Sequence, residues 1–150
     1  MTTELRELYQ EIIIDHGRHP RNFGALPHAN HHQEGFNPLC GDKIFLYVQE
    51  REGIIEKIQF EGVGCAISMA SASLMSEALQ GKTEAEAKEL FDAFHQLVTE
   101  GQLSDKLAKL AVFGGVREFP VRVKCATLAW HTLIAALAGN ADSVTTEEVI

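Results

Sequence analysis

Apolar residues recur at steps of three and four through Leu5, Leu8, Tyr9, Ile12 and Ile13, which places them on one face of a helix over residues 3–16. Thr3 suits the position before its first turn, and Glu4 and Glu7 suit the positive end of its dipole. Gly17, Pro20, Gly24 and Pro27 then break the pattern, predicting an irregular segment to about Ala29. Strict alternation follows. Ile44, Leu46 and Val48 interleave with Phe45, Tyr47 and Gln49 in a strand over 43–50, and Ile58 and Phe60 share a face of a second over 54–61. The Arg51-Glu52-Gly53 link is short enough to make the pair a hairpin. Residues 29–36 supply a third, weaker strand.

After Gly62 and Gly64 the period changes again. Residues 66–80 are rich in Ala, Met and Ser, with no Gly or Pro before Gly81, a suitable C-terminal cap. Thr83 and Glu86 have the spacing of a capping box, opening a helix with Leu90, Phe91, Phe94, Leu97 and Val98 inward. A short helix is expected over 104–111, then a flexible Gly114-Gly115 link. Pro120 suits the first turn of a last long helix that Gly139 ends, with Val121, Cys125, Leu128, Ala129, Ile134 and Leu137 toward the core. The tail from Ala141 to Ile150 is polar and expected to fray. These elements describe a single α+β domain over residues 1–150, a small antiparallel three-stranded sheet backed by helices.

Composition narrows the function. A chain of 150 residues with net charge −8 suits one core and is a poor match for nucleic-acid phosphates. No apolar run approaches the roughly 18 residues of a membrane span, and the acidic, helical start is unlike a signal peptide, so the expected location is the cytoplasm. Three cysteines, Cys40, Cys65 and Cys125, are an odd number for a disulfide framework in a reducing compartment.

Each thiol stands at a break between elements. Cys40 precedes Gly41 and Asp42 in a turn before a strand, where the glycine lets Cys40 and Asp42 face a common point. Cys65 is where a strand ends and a helix begins, and the positive end of the dipole favours its thiolate. Cys125 is about one turn into the last helix, near Arg117, Arg122 and Lys124, which also favour the anion. Residues 101–140 hold five basic and two acidic groups, a locally positive stretch in a negative chain. Three Cys and one Asp would make a tetrahedral zinc site or hold an iron–sulfur cluster with one exchangeable ligand. Core-packed thiols are the competing reading, since no Cys-x-x-Cys pair is present. Gly62-x-Gly64 lacks the third glycine of a dinucleotide loop and reads as a tight turn. His28, His31 and His32 read as solvated, His95 and His131 as packing residues, and no serine-nucleophile elbow is present.

Three segments, Asn37-Pro-Leu-Cys-Gly-Asp42, Gly62-Val-Gly-Cys-Ala-Ile-Ser68 and Pro120-Val-Arg-Val-Lys-Cys-Ala-Thr-Leu-Ala-Trp130, together resemble the SufU branch of the IscU/NifU-like family of iron–sulfur cluster assembly. The similarity runs in order over roughly residues 4–138 and includes Asp15-His16 to Asn22. It implies an IscU/SufU-like α/β sandwich with helices on one face of the sheet, and it places the metal ligands on Cys40, Asp42, Cys65 and Cys125. Lys124 stands where the scaffold members carry histidine, and residues 119–124 keep only part of their Leu-Pro-Pro-Val-Lys motif. The stretch from Gly81 to Val116 is longer than in IscU-type proteins, as in the SufU branch.

The resemblance therefore implies a zinc-dependent sulfurtransferase. Its partner would be a SufS-type cysteine desulfurase carrying pyridoxal phosphate, with Cys40 as the nucleophile that accepts persulfide sulfur. Arg122 and Lys124 are candidate auxiliary groups, and the protein is expected to be a monomer. The alternative is a scaffold that assembles a transient 2Fe–2S cluster.

Overall fold

A computed structural model describes residues 3–139 and 143–146. In chain order the elements are α1 (Thr3–Arg18), β1 (His31–Asn37), β2 (Asp42–Arg51), β3 (Ile54–Val63), α2 (Ala66–Leu79), α3 (Glu84–Glu100), a 3-10 helix (Ala108–Glu118), α4 (Pro120–Leu137) and β4 (Val144–Thr145). The sheet runs β3-β2-β1-β4, with β1, β2 and β3 antiparallel and β4 parallel to β1. It has four strands, where alternation predicts three. The fourth comes from the tail expected to fray, and its two residues are too few to show a period. The remaining tail positions, 141–142 and 147–150, lie outside the described residues.

The β2–β3 hairpin closes through Glu52 and Gly53, both at positive φ (53° and 78°), the pattern of a type I′ turn that matches strand twist. Period two then sets the faces. Ile44, Leu46, Val48, Ile58 and Phe60 are fully buried, and α2 and α4 pack against the sheet. Phe36, Phe45 and Val63 remain exposed. Thr83 and Glu86 form the expected reciprocal capping box, and Gly101 ends α3 in the left-handed region.

α2 is the central helix, with α1 packed against it as well as α4. Its small residues let neighbours approach, and its buried serines become polar links. Ser71 Oγ donates to the Ala126 carbonyl (2.6 Å) and accepts from Trp130 Nε1 (3.1 Å). Ser73 Oγ accepts from the Arg21 amide (2.8 Å) and bonds His16 Nδ1 (2.7 Å).

Three local expectations are corrected. The short helix over 104–111 is a 3-10 helix over 108–118 that runs through Gly114-Gly115, because Leu110, Val112, Phe113 and Val116 are buried and hold it down. Leu5 and Leu8 are exposed, Leu8 by 50%, so α1 packs through Tyr9, Ile12 and Ile13 instead. Val121 is also exposed, whereas α4 buries Ala126, Trp130 and Leu133.

His16 yields a pH expectation. It is buried, with Nε2 3.8 Å from Glu77 Oε1. Burial is the largest influence on its pKa and lowers it; Arg21 and Lys109 lower it further, while Glu77 and Asp15 oppose them. The folded state thus binds this proton less tightly than the unfolded chain. Its contribution to stability is present above the ordinary histidine value of about 6.5 and is lost as pH falls through the depressed folded value. A His16→Gln variant should therefore lose less stability than the parent between about pH 6.5 and 5. Urea midpoints across that range check this, and parallel slopes for the two proteins would contradict it.

Candidate metal centre

The site is assembled from the ends of four elements. Asn37 and Asp42 are the last cross-strand pair of β1 and β2, and the turn between them carries Cys40 outward. Gly41 adopts φ +70°, a region that side chains disfavour. Cys65 is the N-cap of α2, and its sulfur accepts from the Ser68 amide at 3.5 Å. Cys125, in the second turn of α4, is only 2% exposed.

These segments converge. Ligand atoms of Cys40, Asp42 and Cys125 all lie within 4.8 Å of one another, and the Cys40 and Cys125 sulfurs are 3.2 Å apart. Cys65 Sγ is 3.9 Å from Asp42 Oδ2. Donors sharing a tetrahedral zinc with Zn–S bonds of about 2.3 Å stand roughly 3.5–4 Å apart. Cys40, Asp42 and Cys125 thus have the chemistry and nearly the spacing of three zinc donors, while Cys65 lies outside that close group and adjoins it through Asp42. A small opening of the Cys40–Cys125 contact would bring that pair into range.

Asp42 is fully buried and held at both oxygens: Oδ1 accepts from the Cys65 amide (2.8 Å) and Oδ2 from Asn37 Nδ2 (2.9 Å). Gly64 makes this possible, because a Cβ there would stand 2.6 Å from Asp42 Oδ1. A Cβ at Gly62 would fall on the Lys43 carbonyl oxygen. The Gly62-x-Gly64 spacing therefore serves a close strand pair and a carboxylate pocket.

Charge is shared unequally among the thiols. A hydrogen bond from Cys125 is the main influence lowering the Cys65 pKa to about 7, and the Ser68 amide helps, against burial and the Asp42 charge. The same interaction with Cys65, with burial and the Cys40 contact, pushes Cys125 upward. Basic neighbours in sequence lead one to expect an ionised Cys125. In the structure the Cys125 sulfur meets Cys40 Sγ at 3.2 Å and Asn37 Nδ2 at 3.4 Å. Arg117 packs beside Gly101 at the end of α3.

A cleft of about 450 Å³ opens over the thiols and is walled by Phe119, Val121 and Arg122. The Arg122 guanidinium lies 4.5 Å from the Phe119 ring centroid, which fixes a cation at the rim. Lys124 is half-buried and is not among the lining residues. Of the histidines, His31 departs from the solvated reading: it is half-buried, with Nε2 3.2 Å from Glu50 Oε1. Sequence pattern does not reveal Asn37, which bonds Asp42, or Thr146, whose Oγ1 donates to Asn37 Oδ1 at 2.9 Å. Asn37 belongs to a recognised motif, but nothing in the motif reveals that it is buried.

Known proteins identify the family. The NifU-like N-terminal domain matches residues 8–138. The chain belongs to that family. It is 39% identical over 151 residues to the iron–sulfur cluster assembly scaffold protein IscU of Streptococcus pyogenes serotype M1, covering 98% of this chain and 94% of that one. It is also 39% identical over 136 residues to the zinc-dependent sulfurtransferase SufU of Bacillus subtilis strain 168, covering 89% and 92%. A crystal structure from Fervidobacterium islandicum AW-1, described as an iron–sulfur cluster assembly scaffold protein for the SUF system, superposes with a TM-score of 0.82 at 34% identity and covers 91% of this chain and 99% of that one. The family and its α+β fold are thus established for this chain. Relatives of equal identity carry both a scaffold's name and a sulfurtransferase's. No helix among the described residues is long and apolar enough to cross a membrane.

Proposed function

We propose that this protein is a zinc-dependent sulfur acceptor for iron–sulfur cluster assembly. It takes persulfide sulfur from a SufS-type, pyridoxal-phosphate cysteine desulfurase in the cytoplasm. Cys40, Asp42, Cys65 and Cys125 would hold the zinc, which supplies a positive charge that keeps the thiols ionised. The observation that carries the reading is the inequality of the thiols: Cys40 is exposed on a glycine-hinged turn, while Cys125 is buried in a helix and Cys65 caps one. Cys40 is the most exposed of the three, and so the thiol that the partner's persulfide meets first.

Sulfur transfer is a nucleophilic exchange. Cys40 thiolate attacks the outer sulfur of the partner's Cys–S–SH, a new S–S bond forms on Cys40, and the partner's S–S bond breaks with its electron pair leaving on the partner's cysteine. The sulfhydryl proton travels with the outer sulfur, and nothing is oxidised or reduced overall. Asn37 and the Cys65 amide keep Asp42 in place throughout, so only the turn carrying Cys40 needs to move. Arg122, held over Phe119 at the cleft rim, is placed to receive an anionic group of the incoming partner.

The reading is tested on anaerobically purified protein. Zinc and iron are measured, the protein is incubated with desulfurase and cysteine, and mass spectrometry locates added sulfur. The expected result is about one zinc per chain, faster desulfurase turnover, and a mass increase of one sulfur on Cys40 that Cys40→Ser abolishes. Bound iron and sulfide that are released reversibly, with no sulfur on Cys40, would establish the scaffold reading instead.

A further inference from the structure

We infer that the C-terminal strand is a working part of the metal centre: Thr146 locks the Asn37 side-chain amide so that its N–H groups face Asp42 and Cys125. The inference rests on the metal-site reading above and concerns a residue which that reading does not use.

Asn37 is fully buried, so each polar atom of its amide needs a partner inside the protein. Nδ2 donates to Asp42 Oδ2 at 2.9 Å and to Cys125 Sγ at 3.4 Å. Oδ1 accepts from Thr146 Oγ1 at 2.9 Å. Turning the amide over would aim Oδ1 at a carboxylate and a sulfur, which are acceptors when the site is ionised, and leave its N–H groups facing the hydroxyl. The hydroxyl can donate or accept, but donation to Oδ1 is the arrangement that satisfies every atom. Thr146 is itself 1% exposed, and its backbone amide donates to the Phe36 carbonyl at 3.1 Å, one residue from Asn37. The hydroxyl is therefore delivered by strand pairing, through the parallel register of Gly35 with Val144 and Phe36 with Thr145.

Donors aimed at a carboxylate and a thiolate favour the charged forms, and these are the forms that bind metal. Loss of such a supporting partner typically weakens metal affinity by 10–100-fold. Thr146 is a positioning residue, since its hydroxyl bonds Asn37 and acts through that amide.

The test is competition for zinc between the full-length protein and a chromophoric chelator, with the cobalt(II)-substituted absorption spectrum as a second readout. Thr146→Val should weaken zinc binding about tenfold or more and shift the cobalt bands, while Thr146→Ser, which keeps the hydroxyl, should stay near the parent. In an Asn37→Ala background, Thr146→Val should add no further loss. Unchanged affinity and spectrum in Thr146→Val would overturn the inference and leave the sulfur-acceptor reading standing. So would equal losses in Thr146→Val and Thr146→Ser. A parent protein that binds no zinc would overturn both. Should Thr146→Val fail to fold, Asn37→Ala decides by the same titration, and parental affinity there overturns the lock.

Discussion

A Gly64→Ala variant is expected to fold and to bind zinc far less well at the proposed site than the parent does. The added methyl would stand 2.6 Å from Asp42 Oδ1 and 3.2 Å from Asp42 Cβ, in a pocket where the carboxylate is fully buried. Relief requires either that the carboxylate swing away or that the peptide leading into Cys65 shift. Both movements separate donors, because Asp42 Oδ1 is bonded to the Cys65 amide itself. Overpacking of this kind costs about 1–3 kcal/mol, against about 5–15 kcal/mol for a domain, so the secondary structure should survive. Zinc retained after dialysis against a chelator should fall at least about tenfold. Gly115→Ala is the control, since a Cβ there meets nothing within 4 Å. Full zinc retention in Gly64→Ala, with circular dichroism matching the parent, would show that Asp42 has room the structure does not give it.

Trp130→Ala should have the largest effect on the fold. The indole is fully buried, stacks on Phe94 with ring centroids 4.7 Å apart and planes 17° from parallel, and donates to Ser71 Oγ. It joins α3, α4 and α2 at one point. Removing such a ring costs about 3–5 kcal/mol through lost burial and the cavity left behind. For a chain of this size that corresponds to a fall in melting temperature of roughly 10 °C or more. Trp130→Phe keeps most of the stack, loses the hydrogen bond and should fall between. Trp130 is the chain's single tryptophan, so circular dichroism is the appropriate measurement. A shift of only a degree or two would mean that α3 and α4 do not depend on this contact.

Much of this architecture is legible along the chain because local physics decides it. The β2–β3 hairpin follows from alternation and the short Arg51-Glu52-Gly53 link, α3 from the Thr83–Glu86 box, and α4 from Pro120 and Gly139. The converging thiols are legible only as motifs, since spacing alone leaves core packing open. Long-range packing accounts for what is hidden. Gly114-Gly115 reads as a breaker, yet the buried side chains around it hold a 3-10 helix through it. Cys125 stands among basic neighbours in sequence, yet its sulfur meets Cys40 and the Asn37 amide, brought in from far along the chain. β4 is too short to announce itself, and Asn37 and Thr146 are 109 residues apart.

That separation has a consequence for biosynthesis. Cys40 and Cys125 are 85 positions apart, and Asn37 waits for Thr146, close to the end of the chain. A polypeptide made from its N-terminus presents the hairpin segment while one thiol of the cluster is still to be translated. The polar shell of the pocket is therefore completed late in synthesis, once the segment carrying Thr146 has emerged and docked. Until Cys125 is made, the chain offers Cys40, Asp42 and Cys65 alone, an incomplete donor set.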